Sequence, residues 1–248
     1  MTSRIILITG ANSGVGLAAT KVIVGASEKY HVIMAGRSRE KLQSAMSEVQ
    51  QGNTRGTVSI LLLDVTDEKS IDEAAKQVQE QHGRVDVLVN NAALGNVEPN
   101  VKSRFTSSLI TNVVGPAMVA EAFRPLLLTS ESPYSIFVSS GMGSLTMAAE
   151  PGAITYMPNE NAYRACKAAL NMIAIKEWQD FKSKGLKVFA FCPGFVVSNL
   201  RGTSEEARTG GGQAGDPAVS GQSLLDIIEG KRDAEDGKFV HKDGVYPW

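Results

Sequence analysis

Two cysteines among 248 residues, Cys166 and Cys192, are too few and too far apart for a disulfide framework or a Cys-x-x-Cys redox pair. Both thiols are expected to stay reduced in a cytosol-like compartment, so the expected location is cytoplasmic. The three histidines, His31, His82 and His241, show no metal-ligand spacing, and no metal site is expected. No apolar run reaches the ~18 to 20 residues of a membrane span. Met1-Thr-Ser-Arg4 leads straight into a strand-like segment, without a charged-then-apolar secretory leader. A formal net charge of −1 gives no long-range pull on nucleic acid or anionic lipid. These absences argue against nucleic acid and membrane as partners and leave a small molecule.

The apolar fraction of 43% and charged fraction of 21% describe a globular protein able to bury a full core. Short β-branched apolar runs alternate with longer amphipathic stretches. Ile5–Ile8, Val32–Met34, Val58–Leu63, Val85–Val89, Ser135–Val138 and Lys187–Phe191 predict strands, and Lys238–Val240 predicts a last one. Apolar strands without strict alternation indicate a parallel sheet covered on both faces. Helices are predicted near 15–25, 39–50, 67–82, 102–128 and 160–184. The expected fold class is α/β, a Rossmann-type doubly wound parallel sheet of about seven strands in one domain spanning 1–248. Two segments break the rhythm and are expected to be variable substrate-side loops, 141–161 and 195–236. Within the second, 201–216 with Gly210-Gly-Gly212 predicts a mobile flap, and Asp216-Pro217 predicts a helix start.

Directly after the first strand comes Thr9-Gly-Ala-Asn-Ser-Gly-Val-Gly16, opening onto a helix. Gly10 permits a tight turn, Gly14 close backbone approach to a pyrophosphate, and Gly16 close helix–strand packing. Backbone N–H groups through Asn12, Ser13 and Val15, with the helix dipole, are expected to hold the phosphates. The second strand ends Ala35-Gly-Arg-Ser38, with Gly36 twenty residues after Gly16. A carboxylate there would suit a ribose 2′-hydroxyl, but this chain offers Arg37, with Arg39 close behind. A guanidinium suits a 2′-phosphate, so the expected cofactor is NADP(H).

Tyr163 stands four residues before Lys167 in a helical stretch, so phenol and ammonium share a face. A neighbouring positive charge is expected to lower the tyrosine pKa from its usual ~10 toward a useful acid or base.

The Gly10-x-x-x-Gly14-x-Gly16 spacing with Tyr163-x-x-x-Lys167 resembles the short-chain dehydrogenase/reductase family in its compact, single-domain form, over roughly residues 4–200. Asp64-Val65 after the third strand resembles the family's adenine-contacting pair. Asn90-Asn91-Ala92-Ala93 resembles its Asn-Asn-Ala-Gly segment, and Pro193-Gly194, with Val196 and with Ser198 in place of a common Thr, its nicotinamide-side motif. Asn112 and Ser140 match the remaining two members of a catalytic tetrad with Tyr163 and Lys167. The resemblance implies that Tyr163 exchanges the proton and that Lys167 lowers its pKa and bonds the nicotinamide ribose. Ser140 would stabilise the oxyanion, and Asn112 would hold a relay water. Ser140 precedes Tyr163 by 23 positions rather than the usual dozen or so, and Ser139 and Ser144 remain alternatives.

The expected activity is hydride transfer between NADP(H) and a ketone or secondary alcohol. The rival reading is a catalytically silent NADP-sensing regulator or scaffold. Leu94, Met142, Met147, Met157 and Phe195 are candidates for an apolar pocket that would take an uncharged, polyketide-like carbonyl. A homodimer or homotetramer is expected. The aromatic tail Val245-Tyr-Pro-Trp248 is costly to leave in water and is expected to cap a partner subunit.

Overall fold

Every residue of the first strand is buried except the partly exposed Arg4, and its side chains alternate between two cores. Ile6 and Ile8 enter one cluster, Ile5 and Leu7 the other. A strand that is apolar on both faces must be covered on both sides. The computed structural model describes residues 3–95, 98–150 and 160–248. Seven parallel strands, β1 (Arg4–Thr9), β2 (Tyr30–Gly36), β3 (Thr57–Leu62), β4 (Val87–Asn90), β5 (Tyr134–Val138), β6 (Lys187–Phe191) and β7 (Phe239–His241), run in the order β3-β2-β1-β4-β5-β6-β7. An eighth, β8 (Gly244–Tyr246), pairs antiparallel with β7. The expectation of about seven strands holds for the parallel part of the sheet among the described residues, and β8 adds an antiparallel edge. The β7–β8 turn is Lys242-Asp243, and Asp243-Gly244 leads into β8.

The helices are α1 (Gly14–Ala26), α2 (Arg39–Gln50), α3 (Glu68–His82), α4 (Val101–Leu109), α5 (Gly115–Leu127), α6 (Leu145–Ala149), α7 (Asn161–Phe181), α8 (Glu205–Thr209) and α9 (Pro217–Ile228). Ala19, Ile23, Leu42 and Leu224 place α1, α2 and α9 on the face of Ile6 and Ile8. Ala74, Phe123 and Leu170 place α3, α5 and α7 on the opposite face. The winding reverses where β4 returns beside β1, and that topological switch point leaves a crevice at the carboxyl ends of the two strands.

Two sequence expectations change. The single helix predicted over 102–128 is interrupted by a π-helical turn, Ile110–Val114. There a Cβ on Gly115 would lie 2.7 Å from the Val65 carbonyl oxygen, so the helix sits hard against the segment after β3. The flap expected over 201–216 is instead folded, with a 3₁₀ turn at Asn199–Arg201 followed by α8. Arg201 donates to the carbonyl oxygens of Val196, Ala207 and Arg208, and Gly210, Gly211 and Gly212 all take positive φ. Those glycines serve left-handed turns that other residues resist. The rings of the aromatic tail pack on their own chain, while Val245 and Pro247 stay exposed. Trp248 stacks on Phe239 at 5.7 Å between ring centroids, and Tyr246 meets the same ring edge-on at 5.5 Å. The Asp216 cap holds as expected, its Oδ1 accepting from the Ala218 N–H at 2.8 Å.

One hydroxyl joins the two sides of the crevice. Thr9 Oγ1, wholly buried at the end of β1, accepts from the N–H groups of Asn91 and Ala92 at 2.9 and 3.0 Å. Thr9→Val keeps the shape but leaves both buried donors unpaired. It should destabilise the protein by about 2 kcal/mol in urea unfolding, and an unchanged unfolding midpoint would contradict this role.

Candidate active site

The turn after β1 sets the geometry. Gly10 and Gly14 have φ of 64° and 53°, and a Cβ on Gly10 would stand 2.9 Å from the Ala92 Cα. Gly16 serves packing instead, because its added Cβ would lie 2.6 Å from Asn91 Nδ2 and 2.7 Å from the Gly10 carbonyl oxygen. Asn91 Nδ2 in turn donates to the Thr9 carbonyl at 2.8 Å. Ser13 caps α1 with extended backbone but makes no side-chain bond to the helix, and no acid occupies the first turn. The first N–H groups of α1 therefore offer a site for an anion.

A cleft of about 370 Å³ follows from this arrangement. Gly10, Asn12, Ser13, Gly14 and Val15 line one wall, and Arg37, Asp64 and Val65 line the end beyond β2 and β3. Asn91, Ala92, Leu94, Tyr163, Lys167, Pro193 and Ser198 line the rest. Gly16, Asn112, Ser140, Gly194, Val196, Met142, Met147 and Phe195 are not among its lining residues. Met157 lies outside the described residues. Val196 is buried and bridges to Gly215, while Phe195 lies under the Arg201 guanidinium, 4.4 Å from it, and against Gly210. Sequence reasoning missed Lys41, Thr66, Thr111, Asn199 and Leu200 as lining residues. Lys41 had a signal: like Arg37 and Arg39, it is a cation at a helix start, where the dipole disfavours one.

Charge is graded along the cleft. At the Arg37 end, burial opposes ionisation of Asp64. The Thr66 N–H and hydroxyl, at 2.9 and 2.7 Å, and the Arg37 guanidinium outweigh it and hold the carboxyl below its usual range. Arg37 and Lys41 line the same end of the cleft as the Asp64 carboxylate. The positive-φ glycines, the uncapped α1 terminus and the cleft volume together fit a nicotinamide dinucleotide.

At the other end, α7 presents Tyr163 and Lys167. Lys167 is buried and its Nζ donates to the Val138 carbonyl oxygen at 2.8 Å, 5.5 Å from the centre of the Tyr163 ring. Burial lowers its pKa to about 8 against the opposing pull of Cys166 and Cys192. The expected lowering of the Tyr163 pKa is corrected. Burial pushes it well above its usual value, Cys192 adds to the rise, and the Ser140 hydroxyl only partly offsets it. The ammonium points at Val138 rather than at the phenol oxygen, so the phenol stays protonated.

The three candidate serines separate by their partners. Ser139 is buried and donates to Asn171 Oδ1 at 2.5 Å. Ser144 donates to the Pro247 carbonyl at 2.8 Å and caps α6 by accepting from Met147 N–H. Ser140 Oγ accepts from Met142 N–H at 3.2 Å and faces the Tyr163 phenol. Asn112 is fully buried in the π turn; its Oδ1 accepts from Leu94 N–H at 2.7 Å and its Nδ2 donates to Leu94 O at 2.8 Å. Its side chain thus ties the π turn to the segment after β4. π turns of this kind recur at functional sites. Cys166 is buried and burial pushes its thiol up, as a packing residue requires.

A family model for the short chain dehydrogenases matches residues 4–209. The chain belongs to the short-chain dehydrogenase/reductase family. It is 34% identical to the short-chain dehydrogenase/reductase tropE of Talaromyces stipitatus, over 97% of this chain and 96% of that one. It is 32% identical to eupG of a Phoma species, over 98% and 96%. Its fold matches that of an NADPH-bound carbonyl reductase from chicken fatty liver, at TM-score 0.84 and 24% identity over the whole of both chains. An actinorhodin polyketide ketoreductase with NADPH aligns at TM-score 0.78 and 21% identity, over 97% of each chain. The short-chain dehydrogenases/reductases are oxidoreductases that use a nicotinamide cofactor, and this chain is one of them. Among the described residues no helix is long and apolar enough to cross a membrane.

The buried amine makes a signed prediction. With a folded pKa of about 8 against 10.5 in the unfolded chain, the folded state binds fewer protons between those values. Stability therefore rises as pH climbs from about 8 to 10.5 and is lowest below 8. Lys167→Met should lack that rise, so its stability relative to the unmutated protein should fall over the same window in urea unfolding. A pH-independent difference would contradict the burial of a titrating amine.

Proposed function

We propose that the protein is an NADPH-dependent carbonyl reductase acting on an uncharged ketone. The observation that carries this reading is a protonated Tyr163 phenol beside the buried Lys167 amine, at the opposite end of one cleft from Arg37 and Lys41. A nicotinamide dinucleotide held in the cleft supplies the hydride that reduces the carbonyl carbon. Gly10, Gly14 and the α1 N-terminus bind its diphosphate, and Arg37 with Lys41 bind the 2′-phosphate. Tyr163 passes its phenolic proton to the carbonyl oxygen, and the Ser140 hydroxyl donates a hydrogen bond to that oxygen as negative charge develops. Lys167 holds the ribose and raises the local positive potential as the phenol loses its proton. Asn112 acts by fixing Leu94 and the π turn, so that the wall facing Tyr163 keeps its shape.

Leu94 and Leu200 offer apolar surface in the same cleft, which supports a neutral substrate body. The opposite direction, oxidation of a secondary alcohol, would use the same groups with Tyr163 accepting the proton. The sensor reading requires only the nucleotide half of the cleft; the convergence of Tyr163, Lys167 and Ser140 beyond it supports turnover. For assembly, the exposed Leu109, Ile110, Val114 and Met172 on the α4–α5 and α7 surfaces support a homodimer or homotetramer. Cytoplasmic location remains the reading for a chain with two reduced thiols.

Two experiments test the function. Tyr163→Phe should bind NADPH within about twofold of the unmutated protein yet lose at least ~100-fold in kcat on any ketone the protein reduces. Retained turnover would remove Tyr163 as donor. Arg37→Asp should weaken NADPH by at least tenfold while leaving NADH little changed, read by fluorescence titration. Equal losses for both nucleotides would show that Arg37 does not read the 2′-phosphate.

A further inference from the structure

The serine turn has a second attachment that the proposed chemistry does not use. Ser140 opens the 3₁₀ turn Gly141–Gly143, which runs into α6. On its inner side this turn is seated on α7, where a Cβ on Gly143 would lie 2.7 Å from the Lys167 carbonyl carbon. The Gly141 N–H donates to Cys192 Sγ at 3.2 Å. On its outer side the turn meets the aromatic tail. Tyr246 lies against Gly141, where an added Cβ would stand 3.4 Å from its Cε2. Ser144 Oγ donates to the Pro247 carbonyl oxygen at 2.8 Å. Thr146 donates twice to the main-chain oxygen of Trp248, from Oγ1 at 2.7 Å and from N at 2.9 Å. The tail is itself fixed: Tyr246 stacks on His241 at 4.0 Å and 12°, and Trp248 stacks on Phe239.

We infer that Tyr246-Pro247-Trp248 is an intramolecular clamp that positions the Ser140 hydroxyl for the reacting oxygen. The inference deepens the reductase reading and rests on it for the role of Ser140. The physical argument is one of constraint. A glycine-flanked turn has many accessible conformations, and an oxyanion donor helps only where it is already aimed. Three hydrogen bonds and one aromatic contact from the tail remove that freedom on the side that α7 does not cover. The tail touches none of the reacting atoms, so its three residues are positioning residues. A displacement of about 1 Å in such a donor can lower turnover roughly 100-fold without disturbing ground-state binding.

The test uses the full chain with Tyr246→Ala, Tyr246→Phe and Thr146→Val, each alone and in combination with Ser140→Ala. Thr146→Val is the mild variant, losing one side-chain donor without opening a cavity. Amide hydrogen exchange over 140–149 should quicken by at least tenfold in Tyr246→Ala and measurably in Thr146→Val, while exchange in β1 and α1 stays unchanged. Turnover in Tyr246→Ala should fall ten- to 100-fold with NADPH affinity within twofold, and Tyr246→Phe should retain it, because the ring and not its hydroxyl makes the contact. Adding Tyr246→Ala to Ser140→Ala should lose little more than Ser140→Ala alone. Unchanged exchange over 140–149, or losses that multiply in the double variant, would overturn the clamp. Full turnover in Ser140→Ala would instead remove the serine's assigned role, and exchange, which needs no turnover, would report separately on the tail.

Discussion

The Lys167 amine reaches the Val138 carbonyl oxygen at 2.8 Å in a place that excludes water. That one contact joins α7 to the end of β5 and fixes what the cleft can do. Desolvation holds the amine near the edge of ionisation, at a pKa of about 8, while the same burial keeps the neighbouring phenol protonated. Two groups whose proton affinities nearly coincide in water are thereby pushed apart, the amine down and the phenol up. Environments that push two titratable groups apart in proton affinity separate their roles. The i,i+4 spacing supplies only proximity; burial against the sheet supplies the chemistry.

The nucleotide half of the cleft depends on backbone rather than side chains. Gly10 turns β1 into α1 within a hand's breadth of Ala92, and Thr9 holds both strand ends to that spacing through two hydrogen bonds. A side chain at Gly10 or Gly16 would push β1 and β4 apart at the point where the winding reverses. The uncapped N-terminus of α1 is then aimed into the opening instead of being satisfied by Ser13. Local consistency is relaxed here, as is common where a fold binds a ligand. Stability has to come from elsewhere, and the two fully buried clusters on either side of the sheet provide it.

The parallel sheet was legible because its strands are apolar on both faces, a pattern that few other architectures produce. The cleft was legible because glycines with positive φ and an arginine after β2 report a local requirement that the residue type alone reveals. What escaped the sequence was set by tertiary contact. Gly244–Tyr246 is too short to read as a strand without β7 beside it, although Asp243-Gly244 marks the turn. The π turn at Asn112 follows from the fit of Gly115 against Val65, which no periodicity in 102–128 records. The Tyr163 pKa was misread in sign, because a neighbour's charge is visible in spacing while desolvation is not. Gly210-Gly-Gly212 looked like looseness, whereas each glycine answers a left-handed turn held by Arg201.

The three serines that spacing leaves open differ in what their hydroxyls bond. A hydroxyl can stabilise developing charge only if its proton is not already committed. Ser139 gives its proton to Asn171 and Ser144 gives its own to Pro247. Ser140 accepts from the Met142 N–H and faces the Tyr163 phenol, the arrangement on which its proposed role rests. The long interval between Ser140 and Tyr163 is therefore compatible with the chemistry, because the serine is placed by the turn it caps and by α7 beneath that turn, not by the length of chain between the two. Loop length costs little entropy once both ends are anchored, and here both ends are.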